Sequence, residues 1–277
     1  MVVVFGAALV AASLYGVGAV LQASGTRSAS HQAASRFPFL AILRQRTYLA
    51  GLGCDFIAWI LTVYSLQRFP LFAVQAIVAS SLAVTVVIAH FAMHAPLRRA
   101  DAVAIGLTIA GLILIGMAAD VGQAKSPSRR IGLAVLVGAA VLAVISQGTR
   151  RISAFVSATV AGMSFAGGML SARATHLDQG VAKLVGEPLT WAVLGYGLVG
   201  LISYTRALEL GHVGSVTACV WTTEIIVSTV FGRLVLHDDV RSGWRWVALL
   251  GLALALASTV ALARSPALAA AEEPARS

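Results

Sequence analysis

The amino-acid sequence predicts an all-α integral membrane protein with nine membrane-spanning helices. The chain of 277 residues is 58% hydrophobic and only 11% charged, and its mean hydropathy of +0.87 exceeds that of ordinary soluble domains. Its apolar residues also form long stretches of about 20 residues, the length that a helix needs to cross a bilayer. Basic residues such as Arg98, Arg99, Arg150 and Arg151 lie in the short connections between those stretches, as is typical of membrane proteins.

The predicted spans follow one another with short connections. They cover residues 2–24, 47–66, 70–93, 101–119, 131–147, 153–172, 188–208, 213–236 and 244–263. The segment 34–45 is interrupted by Arg36, Pro38 and Arg44, which predicts a loop or an interfacial segment. The residues 266–277 are rich in Ala and Glu and predict a disordered tail, because they offer little apolar surface for packing.

Two parts of the chain follow the same pattern. Residues 52–99 align without a gap on residues 194–241 at a spacing of 142, and the first span aligns on the sixth at a spacing of 150. Matching pairs include Gly53/Gly195, Val78/Val220, Arg99/Arg241, Phe5/Phe155 and Gly18/Gly168. The span 131–147 has no partner. We therefore expect two inverted transmembrane halves, 1–119 with four helices and 120–265 with five. Chance resemblance between Ala-, Val- and Leu-rich helices is the alternative.

Several functional classes are disfavoured by the sequence. The net charge of +9 does not indicate nucleic-acid binding, because no basic face carries the interleaved aromatic residues that single-strand binding needs. The pattern Gly195-x-Gly197-x-x-Gly200 lies inside an apolar span with no strand before it, so it does not predict a dinucleotide site. No Ser/His/Asp set, phosphate loop or zinc motif is found. We expect no enzymatic activity and no cofactor.

Asp55 and Glu224 are the strongest candidates for functional residues, because each is an acidic side chain near the middle of an apolar span. A charge at that depth costs about 2.5–3.5 kcal/mol on insertion scales, so such residues usually face a cavity or a partner. A bonding role between neighbouring helices is the alternative.

Helical spacing adds polar and aromatic residues to each acidic side chain. On the second span, Asp55, Trp59 and Thr62 share one face, and the eighth span carries a similar stripe. That stripe consists of Thr217, Trp221, Glu224 and Ser228. Gln75 adds a polar side chain to the third span. We expect these eight residues to bind the substrate.

Two stretches of the chain resemble a known family. Residues 11–22 read AASLYGVGAVLQ, and residues 64–82 read YSLQRFPLFAVQAIVASSL. The first resembles the opening helix of the NIPA-like magnesium transporters, and the second is similar to a helix pair of the drug/metabolite transporter superfamily, which includes EamA-like proteins. The NIPA-like pattern has Gly-Glu where this chain has Cys54-Asp55, and Pro-Leu-Gly where it has Val74-Gln75-Ala76. The resemblance implies a transporter fold of two inverted halves.

These observations lead to one main functional hypothesis and two alternatives. The main hypothesis is a drug/metabolite-type transporter of a small solute, coupled to protons through Asp55 or Glu224. The first alternative is a magnesium transporter in which Asp55 and Glu224 are the metal ligands. The second is a non-transporting membrane subunit or a lipid-handling partner. We expect membrane lipids and a small molecule or ion as partners, and no nucleic acid; homodimer formation stays open.

The expected location is the plasma or inner membrane of the cell. The connection after the first span carries Arg27, Arg36, Arg44 and Arg46. Because basic connections tend to stay in the cytoplasm, we expect the N-terminus outside and the C-terminus inside.

Overall fold

The structure, a computed structural model, describes residues 2–32, 45–93, 96–120, 122, 128–148, 153–175, 181–211 and 213–268. The predicted connection 34–45 therefore lies outside the described residues except for its last position. The helices are α1 (Val2–Gln32), α2 (Arg46–Leu66), α3 (Leu71–Ala79), α4 (Ser81–Met93), α5 (Arg99–Ala118), α6 (Arg129–Gly148), α7 (Ala154–Ala174), α8 (Val181–Gly186), α9 (Pro188–Leu210), α10 (Val213–Val235) and α11 (Arg245–Leu262). Within the described ranges there is no strand, and only Ala119 and Val240 pair as an isolated bridge.

Eight helical segments in the described part of the chain are long and apolar enough to cross a membrane. The protein is therefore a multi-pass helical membrane protein by length and composition, as predicted. The predicted span 188–208 is present as α9, which has 23 residues, but it is not among the eight. Its glycines, hydroxyl side chains and Arg206 lower its hydropathy. The described residues therefore contain eight segments that meet both criteria, one fewer than the nine predicted spans.

The third predicted span lies at the centre of the bundle. Every residue from Leu71 to Ala83 is buried, whereas the other spans expose apolar side chains on their outer faces. The span is divided into α3 and α4 at Ser80, whose hydroxyl donates to the Ile77 carbonyl at 2.5 Å. A hydroxyl bonded to its own helix backbone commonly bends the helix. Because of this central position, α3 and α4 contact helices of both predicted halves.

The helices pack in a small number of close pairs. α1 packs on α2 and α4, α7 packs on α9 and α10, and α5 packs on α11. The α5–α11 pair is held at backbone contact by two glycines. A Cβ atom added to Gly111 or to Gly251 would lie 2.9 Å from the carbonyl oxygen of the other glycine. Small residues at helix crossings are typical of membrane bundles.

The C-terminal end of the described chain differs from the sequence prediction. Pro266–Leu268 form a helical turn, and Ala267 and Leu268 are buried against α4, α5 and α11. The predicted disordered tail is therefore wrong for residues 266–268, because Leu268 supplies apolar surface that the composition of the whole segment conceals. The residues 269–277 lie outside the described part of the chain.

Candidate functional site

A cavity of about 480 Å³ lies between α1, α2, α3, α4, α7, α9 and α10. Asp55 of α2 and Glu224 of α10 both line it. These two residues are far apart in the sequence and come from different predicted halves. The structure therefore places the two acidic side chains singled out by the sequence in the wall of one cavity.

Asp55 is held against α1. The Gln22 side-chain nitrogen donates a hydrogen bond of 2.6 Å to an Asp55 carboxylate oxygen. The helices approach closely here because Gly18 and Gly51 face each other, and a Cβ atom on Gly51 would lie 2.7 Å from the Gly18 carbonyl oxygen. A Cβ atom on Gly18 would collide with the Asp55 carboxylate. Two glycines and one amide thus fix the position of this carboxylate, which is only half-buried.

Glu224 is more deeply buried than Asp55, with 5% of its surface exposed. The Gln75 amide of α3 lies beside the Glu224 carboxylate. Among the described residues, neither polar atom of the Gln75 side chain has a hydrogen-bond partner of good geometry, and the Ser228 hydroxyl also has none. Buried polar groups are nearly always satisfied, so such exceptions require an explanation. Glu224, Gln75 and Ser228 form an incompletely bonded polar cluster beside the cavity.

Tyr15 connects the two acidic residues. Its ring lines the cavity, and its hydroxyl lies within electrostatic range of both Asp55 and Glu224. The hydroxyl also contacts Thr62, whose own hydroxyl donates to the Ala58 carbonyl at 2.8 Å. Tyr15 therefore contacts the stripe on α2 and lies near the carboxylate on α10.

Aromatic rings form much of the remaining wall. The described lining residues include Trp59, Phe165, Tyr204 and Trp221. Phe165 and Tyr204 meet edge to face, with ring centroids 6.4 Å apart. No Lys, Arg or His is found among the described residues that line this cavity. The cavity therefore combines carboxylates with aromatic faces and carries no compensating cation in its lining.

The predicted site residues fall into two groups. Asp55, Trp59, Thr217, Trp221 and Glu224 line the cavity. Thr62, Gln75 and Ser228 are buried beside it without lining it. Tyr15, Gln22 and Tyr204 also line the cavity, and they are not among the predicted site residues. The signal for Tyr15 and Gln22 was their i, i+7 spacing on one face of the first span.

A buried ion pair lies immediately beyond one end of the cavity. Ala172 lines the cavity, and the next residue, Arg173, pairs with Asp238 at 2.5 Å. Arg173 also donates to the carbonyl of Leu66, the last residue of α2, at 2.5 Å. Asp238 accepts a bond of 2.7 Å from the backbone nitrogen of Leu71, the first residue of α3. We call Arg173, Asp238, Leu66 and Leu71 the ion-pair junction.

A metal site would need several ligating side chains close together. Among the residues that the structure describes, no three His, Cys, Asp or Glu side chains come together. The oxygen atoms of Glu224, Gln75 and Ser228 are the donors that are available in one place.

Comparisons with known proteins do not assign the chain to a group. No family model, no curated protein and no solved structure matches this chain.

Proposed function

We propose that the protein is a membrane transporter of the drug/metabolite type, which moves a small organic cation across the cell membrane in exchange for protons. The observation that carries this proposal is the cavity that joins Asp55 and Glu224 with five aromatic rings and no basic residue in its described lining. Its volume of about 480 Å³ lies within the usual range of small-molecule sites, about 300–1,000 Å³.

The chemistry of the wall favours a cationic solute. Charged carboxylates in a low-dielectric site are costly unless a positive charge approaches them. The faces of Trp59 and Trp221 attract cations through their ring quadrupoles and also cover apolar groups. An anionic solute would meet two like charges in the same space. An organic cation satisfies the acidic and the aromatic parts of the wall together.

Proton exchange follows from the position of Glu224. A buried carboxylate is stable either when protonated or when it faces a cation, and one occupant excludes the other. The cation would leave when Glu224 takes up a proton, and it would bind again after the proton is released. Asp55 is half-buried and already bonded to Gln22, so it would mainly hold the cation in place.

The inverted repeat is part of the proposal, and the cavity wall supports it. At the spacing of 150, Tyr15 matches Phe165, Ala19 matches Met169 and Gln22 matches Ala172. At the spacing of 142, Asp55 matches Gly197, Val78 matches Val220 and Leu82 matches Glu224. All twelve residues line the cavity. Transporters with inverted repeats bind their substrates at the interface between the repeats, near the middle of the membrane.

The packing of the helices supports the same arrangement. The α1–α2 pair corresponds to α7–α9 in the repeat, and the contact of α1 with α3 and α4 corresponds to that of α7 with α10. The pairs α5–α11 and α3–α10 each join equivalent helices from the two halves. The helix α6 packs on α7 and α9 and has no counterpart. We propose that α9, with its 23 residues, crosses the membrane as a ninth span, which puts the N-terminus on the outside and the C-terminus in the cytoplasm.

A magnesium pathway is the second candidate. Glu224, Gln75 and Ser228 offer oxygen atoms from three side chains, and Mg²⁺ prefers oxygen ligands while it retains several waters. The unpartnered Gln75 oxygen and Ser228 hydroxyl favour this reading. The ion would pass along the same cavity.

Flux into proteoliposomes that contain the purified full-length chain tests the proposal. The probes are tetraethylammonium, tetraphenylphosphonium, benzoate and Mg²⁺, each with and without a pH gradient. The proposal predicts gradient-driven accumulation of an organic cation and no movement of benzoate. Gradient-independent Mg²⁺ flux alone would favour the second candidate. No flux of any probe, together with a partner protein that co-purifies in a fixed ratio, would favour a non-transporting subunit.

A further inference from the structure

A second cavity lies on the opposite side of α10 from the first. It has a volume of about 710 Å³, and the α10 residues in its wall are Ser215, Ala218, Cys219, Thr222 and Thr223. The first cavity uses Thr217, Val220, Trp221 and Glu224 of the same helix. The helix α10 therefore separates two cavities of different chemistry.

Two arginines stand in the wall of the second cavity. Arg98 immediately precedes α5, and Arg264 lies two residues after the end of α11. Both side chains are exposed, and neither takes part in an ion pair with a described residue. Because each arginine lies at the end of a membrane helix, we expect both at the depth of the lipid headgroups.

The rest of the wall changes in character with depth. Phe155, in the first turn of α7, is 70% exposed, and Ala218 and Ala263 add further apolar surface. The hydroxyls of Thr222 and Thr223 lie two to three turns along α10 from its first residue. No acidic residue lines this cavity within the described ranges. The first cavity is acidic, and the second is basic at its mouth.

We propose that the second cavity binds the headgroup of an anionic phospholipid. Arginine side chains recognise phosphate oxygens through paired, charge-assisted hydrogen bonds. Basic cavities between membrane helices are suited to anionic lipid headgroups. A soluble anion would use only the arginines and the hydroxyls. A lipid also covers Phe155 with its acyl chain, which makes it the occupant that matches the whole wall.

The segment after α11 contributes to the walls of both cavities. Arg264, Ser265 and Pro266 line the second cavity, and Leu268, two residues further on, lines the first. Leu268 is 1% exposed, so it cannot move without repacking its neighbours. A headgroup held by Arg264 would therefore lie next to the segment whose Leu268 lines the first cavity. Lipid binding itself does not depend on the proposed transport function.

Native mass spectrometry of the purified protein tests the binding site. Phosphatidylglycerol is the probe, and phosphatidylcholine is the neutral comparison. The variants are Arg98→Gln and Arg264→Gln, and the control is Arg46→Gln, which removes an exposed charge at the start of α2 without altering a lining residue of either cavity. We expect each of the two cavity variants to bind phosphatidylglycerol about tenfold more weakly, and Arg46→Gln to bind as the native chain does. Equal binding by all four proteins would overturn the proposal.

Labelling of a thiol gives a second readout that needs no arginine substitution. Cys219 lines the second cavity, and the other described cysteine, Cys54, is also a free thiol. In a Cys54→Ser chain, phosphatidylglycerol should slow the reaction of Cys219 with N-ethylmaleimide, whereas phosphatidylcholine should not. Inorganic phosphate at the same concentration should have little effect. Equal rates in the two lipids, or full protection by inorganic phosphate, would contradict a lipid site.

Discussion

Arg173 and Asp238 form an ion pair in which each side chain is only 3% exposed. Both Asp238 oxygens accept hydrogen bonds from Arg173, and the pair also binds the end of α2 and the start of α3. The geometry thus satisfies charges that would otherwise be costly to bury. The junction ties the two proposed halves together directly beyond Ala172, at one end of the cavity.

The ion-pair junction is expected to contribute much of the stability of this conformation. Asp238→Asn leaves the Arg173 charge buried without a partner, which should lower the free energy of unfolding by about 3–5 kcal/mol. The matched control is Asp239→Asn, because Asp239 pairs with Arg233 in an exposed bridge. Its effect should stay below about 1 kcal/mol. Thermal unfolding in one detergent compares the two variants, and equal effects would show that the buried junction is not special.

The contact between α1 and α2 is expected to be intolerant of side chains. Gly51→Leu would force a side chain against the Gly18 backbone and Gln22, and overpacking of this kind costs about 1–3 kcal/mol. It should also displace Asp55 and weaken cation binding. The control is Gly53→Leu, where an added Cβ atom meets nothing within 4 Å. The measurements are melting temperature and cation affinity; a stable Gly51→Leu protein with native affinity would refute the tight contact.

The sequence was sufficient to predict the membrane class and the two acidic positions. Apolar stretches have a length that the bilayer imposes, and an acidic residue within one is visible without any structure. Periodicity placed Asp55 with Trp59 and Glu224 with Trp221 on common faces, and all four line one cavity. Periodicity could not show which side chains of a face reach the cavity wall, because one face of a helix spans a wide arc. Gln75 and Ser228 therefore proved to be buried beside the cavity, outside its lining.

The ion-pair junction could not be predicted for a different reason. Arg173 and Asp238 are 65 positions apart, and a basic residue at a helix end usually indicates the membrane interface. Their pairing depends on how α7 packs against the connection after α10. Short sequence patterns do not predict such packing between distant segments. The same reason applies to Leu268, whose burial depends on a cleft formed by other helices.

Leu268 is expected to contribute to the stability of the packed helices. Leu268→Ala should lower the free energy of unfolding by about 2–5 kcal/mol, because it leaves a space against α4 and α11. Deletion of residues 269–277 should change it by less than about 0.5 kcal/mol, since those residues offer little apolar surface. Thermal unfolding measures both. A severe loss on deletion, with a silent Leu268→Ala, would reverse this assignment.

Transport by Glu224→Gln in proteoliposomes tests proton coupling at this carboxylate. The substitution keeps the size of the side chain and removes its titration. In the native chain, cation binding should tighten as the pH rises, because the deprotonated carboxylate attracts the cation and the protonated form does not. The variant should lose most of this pH dependence and its gradient-driven uptake, while it still exchanges labelled for unlabelled cation across the membrane. Gradient-driven uptake at the native rate across the pH range would contradict the assignment of Glu224 as the proton-coupling residue.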